Sequence, residues 1–347
     1  MTSGAFPFEA NPNPVDAADR AARLVDPGFG RVFTDHMVTI RYSDAKGWHD
    51  AKVGPRAPLT LDPATAVLHY AQEIFEGLKA YRLADGSMAL FRPEQNARRF
   101  QRSAKRLAMP ELPEDMFLQA CKQLVQVDKD WFPPVDGGSI YLRPFMIASE
   151  VFLGVKPSAE YLFMVIASSA GNYFKSGAPA ISIWVSEQYT RAARGGTGAA
   201  KCGGNYAASL VAQSEAIREG CDQVVFLDAA EHRWVEELGG MNLFFLFDDG
   251  SLLTPPTDGT ILEGITRDSV LTLARAQGLN VREERYAMDQ WRADAESGRL
   301  VEVFACGTAA VVTPVGTVKS TQGAFTIGAG GAGQMTQQIR TKLVDIQ

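Results

Sequence analysis

The chain has 347 residues, 46% of them apolar, and a formal net charge of −6. That length is enough for two domains with cores of ordinary size. The acidic balance supplies no field that would neutralise a phosphate backbone or an anionic bilayer, so neither nucleic acid nor a membrane is an expected partner.

No run of about twenty apolar residues marks a membrane span. The segment from Met1 to Arg20 carries Glu9, Asp16 and Asp19 in place of the basic-then-apolar order of a secretory leader. Cys121, Cys202, Cys221 and Cys306 are scattered without C-x-x-C spacing, which points to a reducing, cytoplasmic setting. His36, His49, His69 and His232 form no ligand spacing, so no metal site is expected.

Residues 1 to about 25 read as a surface arm rich in Pro, Asn and Ala. Val32, Phe33, Val38, Thr39, Ile40 and Tyr42 predict a strand, followed by a turn at Asp44-Ala45-Lys46-Gly47. Leu59 to Leu68 reads as irregular. Phe91-Arg92-Pro93 opens a helix with proline in its first turn, which Met109-Pro110 ends, and a second amphipathic helix runs from Glu114 to Asp128. Ser139 to Ile147 alternates as a strand, placing Tyr141, Arg143 and Phe145 opposite Ile140 and Leu142. On pattern alone Arg143 is either a buried anion partner or a surface charge of an edge strand. Tyr161 to Ala167 is a continuous apolar run, as in a strand covered on both faces. Gly171 to Pro179 reads as the connection between two domains, 1–174 and 175–347.

The second half predicts a strand at Ile181–Glu187, a glycine loop, and a helix at Asn205–Glu219. Strands follow at Gln223–Asp228, Asn242–Phe247 and Ser251–Thr254. A helix from Thr266, its expected N-cap, runs to Gln277 and stops at Gly278. Strands near Val281–Tyr286, Leu300–Cys306 and Ala309–Val315, then a terminal helix striped by Met335, Ile339 and Leu343, complete an α+β pattern.

The glycine loop, Gly195-Gly196-Thr197-Gly198-Ala199-Ala200-Lys201-Cys202-Gly203-Gly204-Asn205-Tyr206, is the stretch around which the chemistry is organised. Walker A fails because Lys201 is followed by Cys202, and the dinucleotide pattern fails because Lys201 stands where its last glycine belongs. A desolvated lysine among small residues would be a neutral amine suited to imine chemistry, whereas a solvated lysine would be an ordinary loop residue. Its neighbours decide between these readings. Tyr206 offers a phenol, and Glu237, with Glu236 as competitor, offers a carboxylate for a pyridine nitrogen. The helix start at Ile265-Thr266 offers N–H groups for a phosphate, and Arg99 a guanidinium for the same group.

Seven stretches in order together resemble the branched-chain amino acid aminotransferases. They are Tyr70 with Phe75-Glu76-Gly77-Leu78-Lys79-Ala80, Phe91-Arg92-Pro93, Tyr141-Leu142-Arg143-Pro144, Lys201 to Tyr206, Glu237 to Asn242, Gly264-Ile265-Thr266-Arg267 and Gly307-Thr308-Ala309. The resemblance implies an α+β two-domain enzyme of fold-type IV, like D-amino acid aminotransferase, with pyridoxal 5'-phosphate between the domains. It implies transamination between leucine, isoleucine or valine and 2-oxoglutarate.

By the same resemblance Lys201 is the Schiff-base lysine and proton shuttle, Glu237 the pyridine-nitrogen partner and Tyr206 the partner of the ring oxygen. Arg99, Ile265, Thr266 and Thr308 would bind the phosphate. Thr308 and Ala309 would receive the substrate α-carboxylate, and Phe33, Phe75, Tyr141 and Arg143 would line the side-chain pocket, Arg143 taking a γ-carboxylate. Tyr70 and Val155 would reach across the interface of a homodimer. Ala310 and Thr313 stand where mammalian members carry a redox-sensitive C-x-x-C, so that switch is not expected. The chain stops at Gln347, where relatives usually continue, so a shorter natural terminus or a truncation is expected. D-amino acid aminotransferases, aminodeoxychorismate lyases and a catalytically silent scaffold remain the alternatives.

Overall fold

The computed structural model describes residues 4–135, 137–171 and 180–347. Residues 172–179 of the expected interdomain connection, Lys175 among them, lie outside the described residues. The chain forms two compact units, Met1–Tyr173 with Ala200–Gly203, and Phe174–Ala199 with Gly204–Gln347.

In the first unit the arm carries a short helix, α1 (Ala17–Leu24), whose N-terminus is capped by the Asp16 side chain accepting from the Ala18 and Asp19 amides. β1 (Val32–Ser43) and β2 (Gly47–Pro55) form a hairpin through the expected turn. The region read as irregular ends in one turn of helix, α2 (Ala66–Tyr70), closed by Ala71 at φ +49°. Then come β3 (Glu73–Phe75), β4 (Leu78–Arg82) and β5 (Met88–Leu90). The helices α3 (Pro93–Arg106) and α4 (Glu114–Val127) match the expected pair, and β6 (Ser139–Ala148) and β7 (Glu160–Ala170) follow.

Among the described residues the sheet has seven strands in the order β2-β1-β7-β6-β4-β5, with β3 also paired to β6. One face of it is covered by the Phe100–Phe117–Phe163 ring cluster from α3, α4 and β7. Ala200 and Cys202 pack into this core, so the backbone on either side of Lys201 is fixed by the first unit.

The second unit is built on β8 (Ile181–Ser186), α5 (Gly203–Arg218), β9 (Gln223–Leu227), β10 (Val235–Leu238), β11 (Asn242–Phe247) and β12 (Ser251–Thr254). It continues with α6 (Ile265–Ala276), β13 (Asn280–Glu283), α7 (Met288–Glu296), β14 (Leu300–Gly307), β15 (Val311–Ser320), β16 (Gly323–Thr326) and α8 (Gln334–Asp345). The sheet order is β10-β9-β8-β15-β14-β11-β12-β13, with β16 on β15.

Thr266 is not the N-cap of α6; Gly264 is, since Ile265 is already helical and Gly264 holds the extended backbone of a cap, where a Cβ would lie 2.1 Å from Asn242 Oδ1. The strand expected to reach Tyr286 stops at Glu283, since Tyr286 turns inward against Phe245 and hydrogen-bonds Asp294. The strand expected at Ala309 begins at Val311, because Thr308–Ala310 forms a turn.

Candidate active site

The first unit holds Lys201 by its backbone. The Lys201 amide donates to Ser103 Oγ at 2.9 Å, its carbonyl accepts from the Phe75 amide at 2.9 Å, and the Gly203 amide donates to the Glu73 carboxylate. Three elements, α3, β3 and the Lys201 strip, are thereby stitched together. The Lys201 ammonium lies 4.7 Å from the centroid of the Phe75 ring.

Two residues behind this strip form a dry ion pair. Glu76 is fully buried and takes Arg99 bidentately, at 2.7 and 2.8 Å, together with Asn96 Nδ2 at 2.7 Å. Burial by itself pushes the Glu76 carboxyl up. The Arg99 charge and hydrogen bonds, with further help from the Lys201 charge and Asn96, outweigh burial and hold it below the ordinary carboxylate range. Arg99, expected to hold a phosphate, is therefore anchored at one edge by Glu76.

The wall expected to receive the substrate side chain lies in the same unit. Arg143 donates to the Tyr141 hydroxyl at 3.0 Å and lies over the rings of Phe75 (4.8 Å) and Tyr141 (5.5 Å). Its buried Nε has no hydrogen-bond partner. Tyr141 in turn meets Phe29 edge-on at 4.9 Å. Glycine is required at residue 77, because a Cβ there would lie 2.1 Å from the Tyr141 hydroxyl. Phe33, on β1, carries the Arg56 guanidinium over its ring at 5.2 Å. Tyr70 ends α2 at 40% exposure, and Val155 stands 92% exposed in the loop between β6 and β7.

The second unit builds its own cluster around Glu237 on β10. This carboxylate is buried and accepts from Arg191 Nη1 at 2.9 Å, the Leu262 amide at 2.9 Å and Asn242 Nδ2 at 3.2 Å. Arg191 is held in turn by the carbonyl oxygens of Thr260 and Gly198. Gly198 is needed at this crossing, since a Cβ would come within 2.2 Å of the Thr260 oxygen. Glu236 points into a different, small cavity lined by Asp228, Trp234, Asp258, Thr260 and Arg285, and its buried Oε2 has no partner. The alternation along β10 therefore separates the two glutamates.

Leu262 leads directly into α6, whose N-terminus no side chain caps, with Ile265 and Thr266 in its first turn. Tyr206 lies on the first turns of α5, close beside Gly240. Thr308 and Ala309 occupy the turn between β14 and β15, directly before Val311 at φ +61°. A β-branched residue in that region is strained, and such strain collects where loops serve a ligand. An anchored carboxylate, an uncapped helix start and a nearby phenol fit a group bearing a cationic ring nitrogen, a phosphate and a hydroxyl. The donor set thus suits pyridoxal phosphate.

A family model for class IV amino-transferases matches residues 73–318. The chain belongs to the branched-chain-amino-acid aminotransferase family. A probable branched-chain-amino-acid aminotransferase of Streptomyces coelicolor is 58% identical, over all of this chain and 96% of that protein. The branched-chain-amino-acid aminotransferase of Mycolicibacterium smegmatis is 56% identical, again over all of this chain and 96% of that protein. The solved branched-chain amino acid aminotransferase of Escherichia coli superposes with a TM-score of 0.71 at 30% identity, covering 89% of this chain and 92% of that one. Membership in this family brings the two-domain α+β fold of type IV. It also brings the cofactor, since another solved family member, at a TM-score of 0.69 and 31% identity over 88% of this chain and 93% of that one, is complexed with N-(5'-phosphopyridoxyl)-L-glutamate.

No motif or spacing in the sequence marks Arg191, and none assigns a role to Glu76 or Glu73. Glu76 had left a signal, a carboxylate in the otherwise apolar run from Ile74 to Leu78; Arg191 had left none.

Proposed function

We propose that this aminotransferase exchanges the amino group of leucine, isoleucine or valine with 2-oxoglutarate, giving the branched-chain 2-oxo acid and glutamate, with pyridoxal 5'-phosphate as cofactor. The observation that carries this reading is that Lys201 and Arg143 share the ring of Phe75. An amine that would serve the reacting carbon and a cation that would take a second carboxylate lie over the same ring, which supports this reading. Aliphatic side chains would contact the rings, and a γ-carboxylate would take the donors of Arg143.

When bound, pyridoxal phosphate supplies a carbonyl carbon that accepts the amino group and a ring that draws electron density from the substrate α-carbon. The roles proposed for the chain's own residues divide that work. Lys201 holds the cofactor and moves the α-proton, and Glu237, fixed by Arg191, keeps the ring nitrogen protonated. Tyr206 binds the ring oxygen, while Arg99, Ile265, Thr266 and Thr308 hold the phosphate. Thr308 and Ala309 bind the α-carboxylate, and Phe33, Phe75, Tyr70, Tyr141, Arg143 and Val155 select the side chain. Two domains, 1–174 and 175–347, are proposed; the two compact units support a division at that point, except that Ala200–Gly203, and with it Lys201, groups with the first.

A homodimer is proposed as the active form, because Tyr70, Val151, Leu153 and Val155 expose apolar surface that a second copy would cover. A cytoplasmic setting is proposed from the scattered, unpaired cysteines. Among the described residues no helix is long and apolar enough to cross a membrane.

The deciding experiment is a donor-by-acceptor panel. Bleaching of the yellow enzyme by leucine, isoleucine and valine, reversed by 2-oxoglutarate, is the expected result. Response only to D-amino acids, release of pyruvate from aminodeoxychorismate, or no response at all would each overturn it.

A further inference from the structure

We propose that Glu73 is the internal counter-ion of Arg143 and sets the balance between aliphatic and dicarboxylic substrates. This rests on the functional reading above. Glu73 and Phe75 lie on the same side of β3, and Phe75 pairs with Phe145 of β6 across an antiparallel ladder. Residues directly opposite in such a ladder project to the same face, and Arg143 stands one alternation before Phe145 on β6. Glu73, Phe75, Phe145 and Arg143 therefore share one face of the sheet. The Glu73 carboxylate is held in place by the Gly203 amide, two residues beyond Lys201. Burial pushes that carboxyl up, while the Gly203 hydrogen bond and the charge of Arg143 draw it back.

The physical need is plain. A guanidinium set among rings with a buried, unpartnered Nε is poorly compensated when an aliphatic amino acid fills the pocket. Glu73, opposite Ile147 and two alternations along β6 from Arg143, makes no ion pair with it but would offset part of its charge across the shared face in that half-reaction. With glutamate or 2-oxoglutarate bound, the same carboxylate faces a second negative charge, and the affinity for the dicarboxylate is reduced. One cation can then serve both substrates without being saturated by either.

The test is Glu73→Gln, whose amide oxygen still accepts from Gly203 while the charge is gone. Glutarate and 4-methylpentanoate are titrated into the holoenzyme by calorimetry, and KM and kcat are measured for glutamate and leucine. Glutarate affinity should rise about fivefold, a coupling ordinary for neighbours in one charged network. The KM for glutamate should fall with it, and the leucine and 4-methylpentanoate values should stay level or weaken. In an Arg143→Ala background the Glu73→Gln effect on glutarate should vanish, and Glu73→Asp should keep the parent's ratio. If the amide variant does not fold, Glu73→Met removes the same charge at similar length. Parallel changes for both ligand classes, no change, or an effect that survives Arg143→Ala would overturn the proposal. Failure of the unaltered enzyme to exchange leucine with 2-oxoglutarate would instead overturn the functional reading, and the glutarate titration separates the two.

Discussion

Arg191 and Glu237 stand 2.9 Å apart with side chains only 2% and 3% exposed, so the carboxylate proposed to face the ring nitrogen is itself held by a buried guanidinium. A carboxylate anchored on one side by a fixed cation and an amide cannot swing to suit its ligand. It is oriented before the ligand arrives.

Glu237→Gln is therefore expected to bind the cofactor, since an amide still accepts from Leu262, while losing stability because Arg191 is left without its buried counter-charge. Activity should fall by about a hundredfold or more, the scale of losing one electrostatic anchor in a water-excluded site. Steady-state rates at saturating cofactor give the answer. Near-normal turnover would move the role to Glu236.

Lys201 is expected to carry the cofactor covalently. Borohydride reduction of the yellow enzyme followed by peptide mapping should place the label on Lys201. Label on Lys79 or Lys175 would remove the central assignment.

Arg143→Ala should lose about ten- to more than a hundredfold in kcat/KM with glutamate, the value of a charge-assisted hydrogen bond of roughly 1.5–3 kcal/mol. The leucine half-reaction should lose much less, which single-turnover rates with each amino acid will show. Equal losses would mean that Arg143 holds the shared α-carboxylate or serves the fold alone.

The Glu76–Arg99 pair should matter to stability as much as to the site. Glu76→Gln removes the bidentate counter-charge of a buried guanidinium, which costs about 3–5 kcal/mol in denaturant unfolding. The Glu76 carboxyl is held below its ordinary value of 4.5 in the folded chain. Its contribution is therefore whole above that pH and is lost as pH falls through the depressed value. The parent's stability should drop on the acid side more steeply than the variant's.

Glu236 carries the opposite sign. Burial pushes its carboxyl above 4.5; Thr260 and Arg191 draw it back, and Asp228 and Asp258 push with burial. The folded state thus favours its protonated form, and that stability fades as pH rises through the raised value. Glu236→Gln should raise the melting temperature at pH 7 by a few degrees and leave it nearly unchanged near pH 4. A lower melting temperature at pH 7 would contradict the sign.

Elements whose pattern is local were legible in the sequence. Pro93 at the start of α3, the alternation of β6 and the apolar run of β7 each announced their place. β10 did not, because its four buried residues include Glu236 and Glu237 and its strand partner among the described residues, β9, is distant in pattern from it. α7 was hidden by its charge: Asp289, Arg292, Asp294 and Glu296 surround a single large buried anchor, Trp291. The candidate site divides in the same way. Lys201 and the glycines beside it stand together in the chain, whereas Arg99 meets Glu76 across 23 residues and Arg191 meets Glu237 across a loop, a helix and two strands. Pairings of that separation are decided by packing, and no spacing rule reaches them.

Gly77 constrains how this pocket can drift over generations. Any replacement of a glycine installs a Cβ, and here that atom would lie 2.1 Å from the Tyr141 hydroxyl. Tyr141 orients Arg143, so a point change at residue 77 would disturb the guanidinium without touching it. A side chain at residue 77 is therefore accommodated only if residue 141 changes with it. Change by single steps in that corner has to begin at residue 141, not at residue 77.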